Sequence, residues 1–159
     1  MTGILKTREL RSDEFPAAET IWLDYHQTKG DPLTDRIFGV FLDNVLVSVA
    51  RSRWHPDGYE VDGIFTRVND RKHGYSRHVV AALVEACHNN DLYMHAVLGL
   101  VPFYEKFGFI QIDESDLPPS IRARFAFALG EMKGLNVHPM KRPAGLKLDQ
   151  FRDLLEGAL

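Results

Sequence analysis

Cysteine is nearly absent from this sequence, because Cys87 is the only one among 159 residues. A single thiol excludes an internal disulfide framework and a cysteine-rich zinc site. Long apolar runs are also absent, since none approaches the roughly 18 residues of a membrane-spanning helix. The first ten residues, MTGILKTREL, lack the apolar core of a signal peptide. We therefore expect a soluble, cytoplasmic protein with no membrane partner.

The sequence also lacks an excess of positive charge. The formal net charge is -3 at pH 7 and the sequence pI is about 6.1, so a general electrostatic attraction to nucleic acid is not expected. The seven histidines are scattered, and His73 and His78 lie five positions apart. That spacing is poor for two ligands on one helix face. We expect no nucleic-acid partner and no metal.

The composition is that of one globular domain. Apolar residues make up 45% of the chain and charged residues 26%, which is ordinary for a folded protein. We find no internal repeat and no long linker, so the prediction is a single domain over residues 1–159. Hydrophobic periodicity predicts the order β-α-β-β-β-α-β-α-β-α-β-α. This is an α+β fold with a helical crossover between the fourth and fifth strands.

Two segments carry the clearest local patterns. The apolar runs 36–42 and 45–54 are joined by Asp43-Asn44, which predicts a β-hairpin with a two-residue turn. Apolar residues recur at helical spacing along 74–88, which predicts an amphipathic helix. The other predicted strands are 4–10, 59–68, 92–97, 109–112 and 136–141, and the other predicted helices begin near Phe15, Leu100, Pro118 and Leu148, the last running to Leu155.

The loop before this amphipathic helix has the residues of an anion site. Four basic residues, Arg67, Arg71, Lys72 and Arg77, fall within eleven positions of an otherwise acidic chain. Free amides at a helix start, together with the helix dipole, attract anions. Gly74 permits a positive φ and the close approach of a ligand. The pattern indicates a polyanionic ligand, although a solvated basic helix start with an ordinary turn glycine explains the same residues.

A glycine also interrupts the predicted strand that leads into this loop. Gly63 is typical of a bulge or of a close backbone approach. A bulge there would release the backbone amides of Ile64, Phe65 and Thr66 for a ligand lying along the strand. A glycine that is needed only for packing is the alternative.

Two segments resemble motifs of the GNAT superfamily of N-acetyltransferases. Arg71-Lys72-His73-Gly74-Tyr75-Ser76 is similar to the family's acyl-CoA-binding motif, Gln/Arg-x-x-Gly-x-Gly/Ala. Val101-Pro102-Phe103-Tyr104-Glu105-Lys106-Phe107-Gly108-Phe109 resembles its Phe-Tyr-Glu-Lys-x-Gly-Phe signature, in the family's order and spacing. The resemblance implies a mixed central sheet of about six or seven strands with helices on both faces. It also implies a splayed strand pair that forms the acyl-CoA cleft.

The resemblance further implies direct transfer of an acetyl group from acetyl-CoA to a primary amine in a ternary complex. The amine would belong to a small molecule, a lysine or a peptide N-terminus. A backbone amide near Phe65 would polarise the thioester carbonyl, and the amides of the loop would hold the pyrophosphate. The cofactor-binding residues that the resemblance implies are Ile64, Phe65, Thr66, Arg71, Lys72, His73, Gly74, Tyr75, Ser76 and Arg77.

The sequence departs from the family pattern at two places. Ser76 stands where the third small residue is usually glycine or alanine, and its hydroxyl can contact a phosphate. The asparagine often found before the tyrosine motif is absent, and Val97-Leu98-Gly99 occupy that stretch. The second departure removes the residue for any asparagine-mediated contact to the cofactor.

Acyl transfer to an amine requires a base for the ammonium group and an acid for the leaving thiolate. The resemblance implies Tyr104 as the acid, because a phenol donates a proton while staying neutral in the ground state; a core aromatic is the alternative. Glu60 and Asp62 are the candidates for the base, since they lie two apart on the predicted strand and so share a face. The sequence does not choose between them, and both are equally explained as exposed acids.

Three functions are consistent with these residues. The first is an N-acetyltransferase, the second is a non-catalytic acyl-CoA-binding sensor, and the third is an interaction domain with coincidental motifs. Net acidity gives a slight preference for a cationic amine as the substrate. The chain is compatible with a monomer or a homodimer.

Overall fold

The computed structural model of the chain describes residues 3–25, 27–129 and 136–147. No helix in this part has the length and apolar character that crossing a membrane requires. The strands are β1 Leu5–Glu9, β2 Asp35–Leu42, β3 Val45–His55, β4 Gly58–Thr66, β5 Leu92–Val97, β6 Ile110–Gln111 and β7 Val137–Arg142. The helices are α1 Phe15–Trp22, α2 Tyr75–Ala86, α3 Val101–Glu105 and α4 Pro119–Leu129, with single 3-10 turns at Ser12–Glu14, Val68–Asp70, Leu98–Leu100 and Glu114–Asp116.

The strands form a mixed, open sheet in the order β1-β2-β3-β4-β5-β7-β6. β4 and β5 are parallel and are connected through α2, so the predicted helical crossover is confirmed. Between β2 and β3, Asp43 and Asn44 have φ angles of 50° and 67°. Two left-handed residues in a two-residue turn match the twist of a β-hairpin, and the predicted turn is also confirmed.

The parallel ladder between β4 and β5 lies at the start of both strands. It joins Tyr59 to Leu92 and Glu60 to Tyr93. Both strands continue beyond these two pairs, and β5 pairs with β7 along its whole length. The ladder between β4 and β5 is therefore short.

Two compact units make up the chain. The first contains residues 1–53 and 61–86, and the second contains residues 54–60 and 87–159. β4 begins in the second unit and ends in the first.

In the first unit, α1 and α2 cover opposite faces of the strands. Successive strand residues point to opposite faces, and Ile37 and Phe41 of β2 belong to the apolar cluster around α1. Val40 points the other way, and Ser48, which lies opposite Val40, faces α2. The other buried members of the α1 cluster are Leu10, Phe15, Ala18, Ile21, Trp22, Leu46 and Val49.

Gly63 lies inside β4 in the left-handed region, with φ of 63°. Its carbonyl oxygen accepts a 2.8 Å hydrogen bond from Nε1 of Trp22, at the end of α1. A Cβ at this position would lie 2.9 Å from the Trp22 ring. The backbone conformation and the packing both require glycine here.

In the second unit, β7 lies between β5 and β6 and is antiparallel to both. Arg142, fully buried at the end of β7, donates from Nε to the backbone oxygen of Phe107 at 2.6 Å. This bond ties the turn after α3 to the sheet, and Gly108 completes the turn with φ of 93°. On α4, Phe125 stacks against His95 of β5, with ring centroids 3.3 Å apart.

Two elements are shorter than the sequence predicted, and one prediction is not tested. The helical spacing of Phe15, Ala18, Trp22 and Tyr25 in the sequence predicts a helix that reaches Tyr25, but α1 ends at Trp22. Leu23 and Tyr25 are exposed, so no core is present to hold a further turn, and the next amides bond three residues back. β6 has only two residues, both exposed. The predicted C-terminal helix, 148–155, lies outside the described residues.

Gly63→Ala is expected to lower the free energy of unfolding by about 1–3 kcal/mol, because a Cβ is strained at this φ and meets the Trp22 ring. Gly99→Ala is the matched control, since a Cβ there meets nothing within 4 Å, and it should change stability little. Urea denaturation of both variants measures the difference. Equal stability of the two variants would contradict the requirement for glycine in β4.

Candidate functional site

A chain of three hydroxyl groups joins β4 to α2 in the first unit. Thr66 Oγ1 lies 2.8 Å from Ser48 Oγ and 2.8 Å from Ser76 Oγ. Because Thr66 ends β4 and Ser76 is the second residue of α2, the chain holds the start of the helix against the end of the strand. The Ser76 hydroxyl, a group that can contact a phosphate, makes a contact within the protein.

The loop that leads into α2 contains two left-handed residues. Lys72 has φ of 69° and Gly74 has φ of 78°. Alternation of left-handed residues with others turns successive amides toward one side, which is the geometry of an anion nest. Lys72 and His73 are exposed, so the loop is open to solvent immediately before the first turn of α2.

Arg71 packs back against β4. Its Nε donates to the backbone oxygen of Thr66 at 3.2 Å, and its guanidinium carbon lies 4.9 Å from the centroid of the Phe65 ring. Tyr25 stacks on the same ring, with centroids 5.2 Å apart. Arg71 therefore orders the loop and the end of β4.

The structure thus brings Phe65, Thr66, Arg71 and Ser76 of the predicted cofactor set into one group of contacts. Ile64 is half-buried in β4. His73 and Tyr75 stack on each other with centroids 5.5 Å apart. Arg77, in the first turn of α2, is half-buried.

Asp62, the second predicted carboxylate of β4, is paired with a buried arginine. Arg51 Nε lies 2.7 Å from Asp62 Oδ1, and Nη2 lies 2.8 Å from Oδ2. This bidentate geometry holds a carboxylate firmly. The Asp62 side chain is 20% exposed to solvent, whereas the Arg51 side chain is 2% exposed.

Arg51 also connects Asp62 to the loop between α1 and β2. Its Nη1 donates to the backbone oxygen of Lys29 at 3.0 Å, and its guanidinium carbon lies 4.8 Å from the Trp22 ring. Asp35, fully buried, lies 3.6 Å from the same Nη1. Burial acts to raise the pKa of Asp35, but the hydrogen bond from Arg53 and other contacts outweigh it, so the pKa lies below its usual value.

Glu60, the first predicted carboxylate, lies in the second unit with a different set of partners. Its side chain is 3% exposed. Arg124 of α4 donates from Nε to Oε1 at 2.6 Å and from Nη2 to Oε2. His55 Nε2, near the end of β3, lies 3.0 Å from Oε1. Both oxygens of Glu60 are therefore engaged within the protein.

Tyr104, the predicted acid, is buried in α3 with 5% exposure. Its ring makes edge contacts with Phe103 and Phe109, at centroid distances of 5.1 Å and 6.1 Å. Phe107 and Phe109 both donate backbone hydrogen bonds to its carbonyl oxygen. The signature segment thus forms a turn with aromatic side chains packed around this tyrosine.

His95, on β5, is a buried histidine that the sequence did not single out as a site residue. Burial, aided by the charge of Arg124, lowers the pKa of His95 to about 4. Glu114 Oε1 lies 3.5 Å from Nε2 but is 43% exposed, so water screens its charge and the effect of burial prevails. His95 is consequently neutral near pH 7.

Arg124 and His55 are the site residues that sequence reasoning missed or left aside. Arg124 is 64 positions from Glu60, and no local pattern connects the two. His55 follows a strand and precedes a Pro-Asp-Gly turn, which gave no reason to prefer it over a solvated position. Within the described residues there is no group of three or more metal-ligating side chains.

Comparison with protein families gives a match to the sequence. A model of the family described as "Acetyltransferase (GNAT) domain" matches residues 22–118. This range includes both carboxylates, the loop before α2 and the tyrosine motif. No curated protein matches the chain.

Solved structures are similar in fold. N-acetylglutamate synthase from Neisseria gonorrhoeae, solved with coenzyme A and L-arginine, matches with a TM-score of 0.67 at 13% identity, over 91% of this chain and 34% of that chain. The chain therefore spans about a third of the length of that synthase. Escherichia coli ElaA matches with a TM-score of 0.66 at 16% identity, over 88% of this chain and 100% of that chain.

A third similar structure is the ribosomal-protein-S18-alanine N-acetyltransferase from Escherichia coli. The TM-score is 0.66 at 14% identity, and the match covers 90% of this chain and 96% of that chain. At such identities the likeness establishes the fold alone.

The pH dependence of stability should report the burial of His95. The unfolded chain binds this proton near pH 6.5 and the folded chain only near pH 4, so stability is complete above 6.5 and falls as the pH is lowered toward 4. The loss attributable to His95 is about 3 kcal/mol. Urea denaturation between pH 4 and 7 measures it, and His95→Gln should show a shallower fall. The same slope in the variant and the wild type would contradict this assignment.

Proposed function

Because the chain belongs to the GNAT acetyltransferase family, we propose that it is an N-acetyltransferase that moves an acetyl group from acetyl-CoA to a primary amine. The observation that carries the proposal is the loop before α2. Its left-handed Lys72 and Gly74 lie in the segment that resembles the family's acyl-CoA motif. An open turn of amides at the start of a long helix is suited to a pyrophosphate.

In the proposed complex, residues of the first unit bind both the pyrophosphate and the pantetheine arm of acetyl-CoA. The pyrophosphate would lie against the backbone amides of residues 72–77, where exposed basic side chains add a modest attraction. The pantetheine arm would follow Ile64, Phe65 and Thr66, and a backbone amide near Phe65 would polarise the thioester carbonyl. Because the Ser76 hydroxyl is bonded to Thr66, we assign phosphate binding to amides and not to this side chain.

The transfer converts an amine and acetyl-CoA into an amide and free CoA. The amine nitrogen forms a bond to the carbonyl carbon as the carbon–sulfur bond breaks, and the leaving sulfur takes a proton. We propose Tyr104 as the donor of that proton, supported by its position in the signature segment. A β4 carboxylate, Glu60 or Asp62, assists removal of the proton from the amine. Acidity of the chain favours a cationic amine as the acceptor.

Two measurements test this function with the whole chain. Saturating acetyl-CoA should raise the melting temperature, because a ligand that binds only the folded state stabilises it. Release of free thiol should follow on addition of one member of an amine panel containing polyamines, lysine peptides and free peptide N-termini. A rise in melting temperature without thiol release from any amine would favour the acyl-CoA sensor. No effect of acetyl-CoA would exclude both functions.

The role of the loop is tested by two glycine variants with equally strained backbones. Gly74 and Gly145 have φ angles of 78° and 91°, so alanine costs stability at either position. A Cβ at Gly74 would also meet the Arg77 side chain at 2.9 Å. Gly74→Ala should weaken acetyl-CoA binding about tenfold or more. Alanine at this φ carries about 1–3 kcal/mol of backbone strain, and the loop would relieve it by moving its amides away from the pyrophosphate. Gly145→Ala should bind normally in calorimetric titration, and equal affinities would refute the assignment of the loop.

Tyr104→Phe should lower kcat by roughly 100-fold while acetyl-CoA affinity stays within about twofold, because the change removes a proton donor and keeps the ring. Phe103→Leu, in the same short helix, is the packing control and should affect stability more than kcat. Stopped-flow thiol release and calorimetry separate the two effects. Unchanged turnover in Tyr104→Phe would remove this residue from the mechanism.

A further inference from the structure

We propose that the side chains of Thr66 and Ser76 are positioning residues for the acyl-CoA loop, which comprises residues 67–74. Their hydrogen bond fixes the first turn of α2, so that the amides of the loop and the helix start face the pyrophosphate of acetyl-CoA. The inference rests on the proposed function and adds to it what holds the anion site in shape. The residues that carry it all belong to the first unit.

The acyl-CoA loop has little packing of its own. Residues 67–69 and 71–73 are exposed to solvent, and Asp70 between them is half-buried. Lys72 and Gly74 are nevertheless left-handed, with φ of 69° and 78°, and this conformation costs free energy for a lysine. Such a backbone persists only where the surrounding contacts determine it. The shape of the loop therefore depends on its attachments to neighbouring elements.

Hydrogen bonds attach the acyl-CoA loop to the strands at its beginning, in its middle and just beyond its end. Arg67 N donates to the backbone oxygen of Val47 in β3 at 2.9 Å. Arg71 Nε donates to the backbone oxygen of Thr66 at 3.2 Å. Ser76 Oγ then lies 2.8 Å from Thr66 Oγ1. The last of these bonds is the shortest, and it is shielded from water because Thr66 is 7% exposed.

The backbone alone holds the first turn of α2 weakly. The hydrogen bond from His78 N to the backbone oxygen of Gly74 is 3.4 Å long, which is beyond the usual range of about 2.7–3.2 Å. Ser76 lies inside this turn, so its side chain supplies a constraint that the helix itself provides poorly. Amides that are already fixed bind a ligand with less ordering cost. Loss of the side-chain bond should therefore weaken binding of acetyl-CoA while the chemical step is retained.

Ser48 extends the chain of hydroxyls but is not required for this attachment. Its Oγ lies 2.8 Å from Thr66 Oγ1, and the residue is fully buried in β3. A threonine hydroxyl has one proton and two lone pairs, so it can bond to both serines at once. Without the Ser48 hydroxyl, the bond between Thr66 and Ser76 stays in place. Ser48→Ala is therefore the matched control, because it shortens the same chain at the end away from the loop.

The experiment measures acetyl-CoA binding to the full chain by calorimetric titration. Thr66→Val and Ser76→Ala should each weaken binding about fivefold, as expected for one hydrogen bond between neutral groups. The double variant should bind about as weakly as either single variant, because both changes remove the same bond. Thr66→Ser keeps the hydroxyl and should restore the affinity that Thr66→Val loses. Ser48→Ala should bind within about twofold of wild type.

Stability and turnover separate positioning from a purely structural effect. Thr66→Val leaves the buried Ser48 hydroxyl without its partner Thr66, so this variant should be less stable than Ser76→Ala in urea denaturation. The two variants should nevertheless share one affinity loss. With the amine selected from the panel, both should raise KM for acetyl-CoA about fivefold and keep kcat within about twofold of wild type.

The outcomes distinguish this inference from the function on which it rests. If wild type does not bind acetyl-CoA, the proposed function fails and the inference fails with it. If wild type binds and the folded Thr66→Val and Ser76→Ala variants bind equally well, only the inference is overturned. Weak binding of Ser76→Ala alone would mean that its hydroxyl contacts the ligand directly. Additive losses in the double variant, or an equal loss in Ser48→Ala, would mean that the bond does not act as a unit on the loop. Each of these three results also overturns the inference.

Discussion

The structure depends on how two carboxylates are accommodated on one largely buried strand. Removing a carboxylate from water is costly unless a fixed positive partner and hydrogen bonds replace the solvent. β4 carries Glu60 and Asp62, and each accepts two bonds from one arginine, Arg124 and Arg51 respectively. The arginines stabilise the strand and at the same time restrict what the carboxylates can do.

This constraint also links β4 to segments far away in sequence. Arg51 neutralises Asp62 and, through Nη1, holds the backbone oxygen of Lys29 in the loop after α1. Replacing Asp62 would therefore release a buried guanidinium as well as remove a carboxylate. A loss of activity in such a variant would not by itself identify Asp62 as a base. The two carboxylates look equivalent in the sequence, but they have different partners in the structure. Asp62 is paired with Arg51, whereas Glu60 contacts Arg124 and His55.

The elements of the fold were largely predictable because their signals are local. The Asp43-Asn44 turn and the amphipathic pattern of α2 each depend on neighbouring residues, and the structure confirms both. The boundaries were less predictable, as the early end of α1 shows, because they depend on whether a core is present to pack against. The pairing of Glu60 with Arg124 was beyond prediction, since 64 positions separate them and nothing in either segment indicates the partner.

Ser76 illustrates how a motif and a structure contribute different information. The resemblance identifies the position and predicts that only a small residue fits, but it does not say what the serine hydroxyl contacts. Thr66 and Ser48 supply the answer, because their hydroxyls lie in line with that of Ser76 at 2.8 Å spacings. A side-chain hydroxyl that is bonded toward the sheet does not compete for the backbone amides of the helix start. The departure from the family pattern is therefore compatible with an anion site, and it gives this chain an additional tie between β4 and α2.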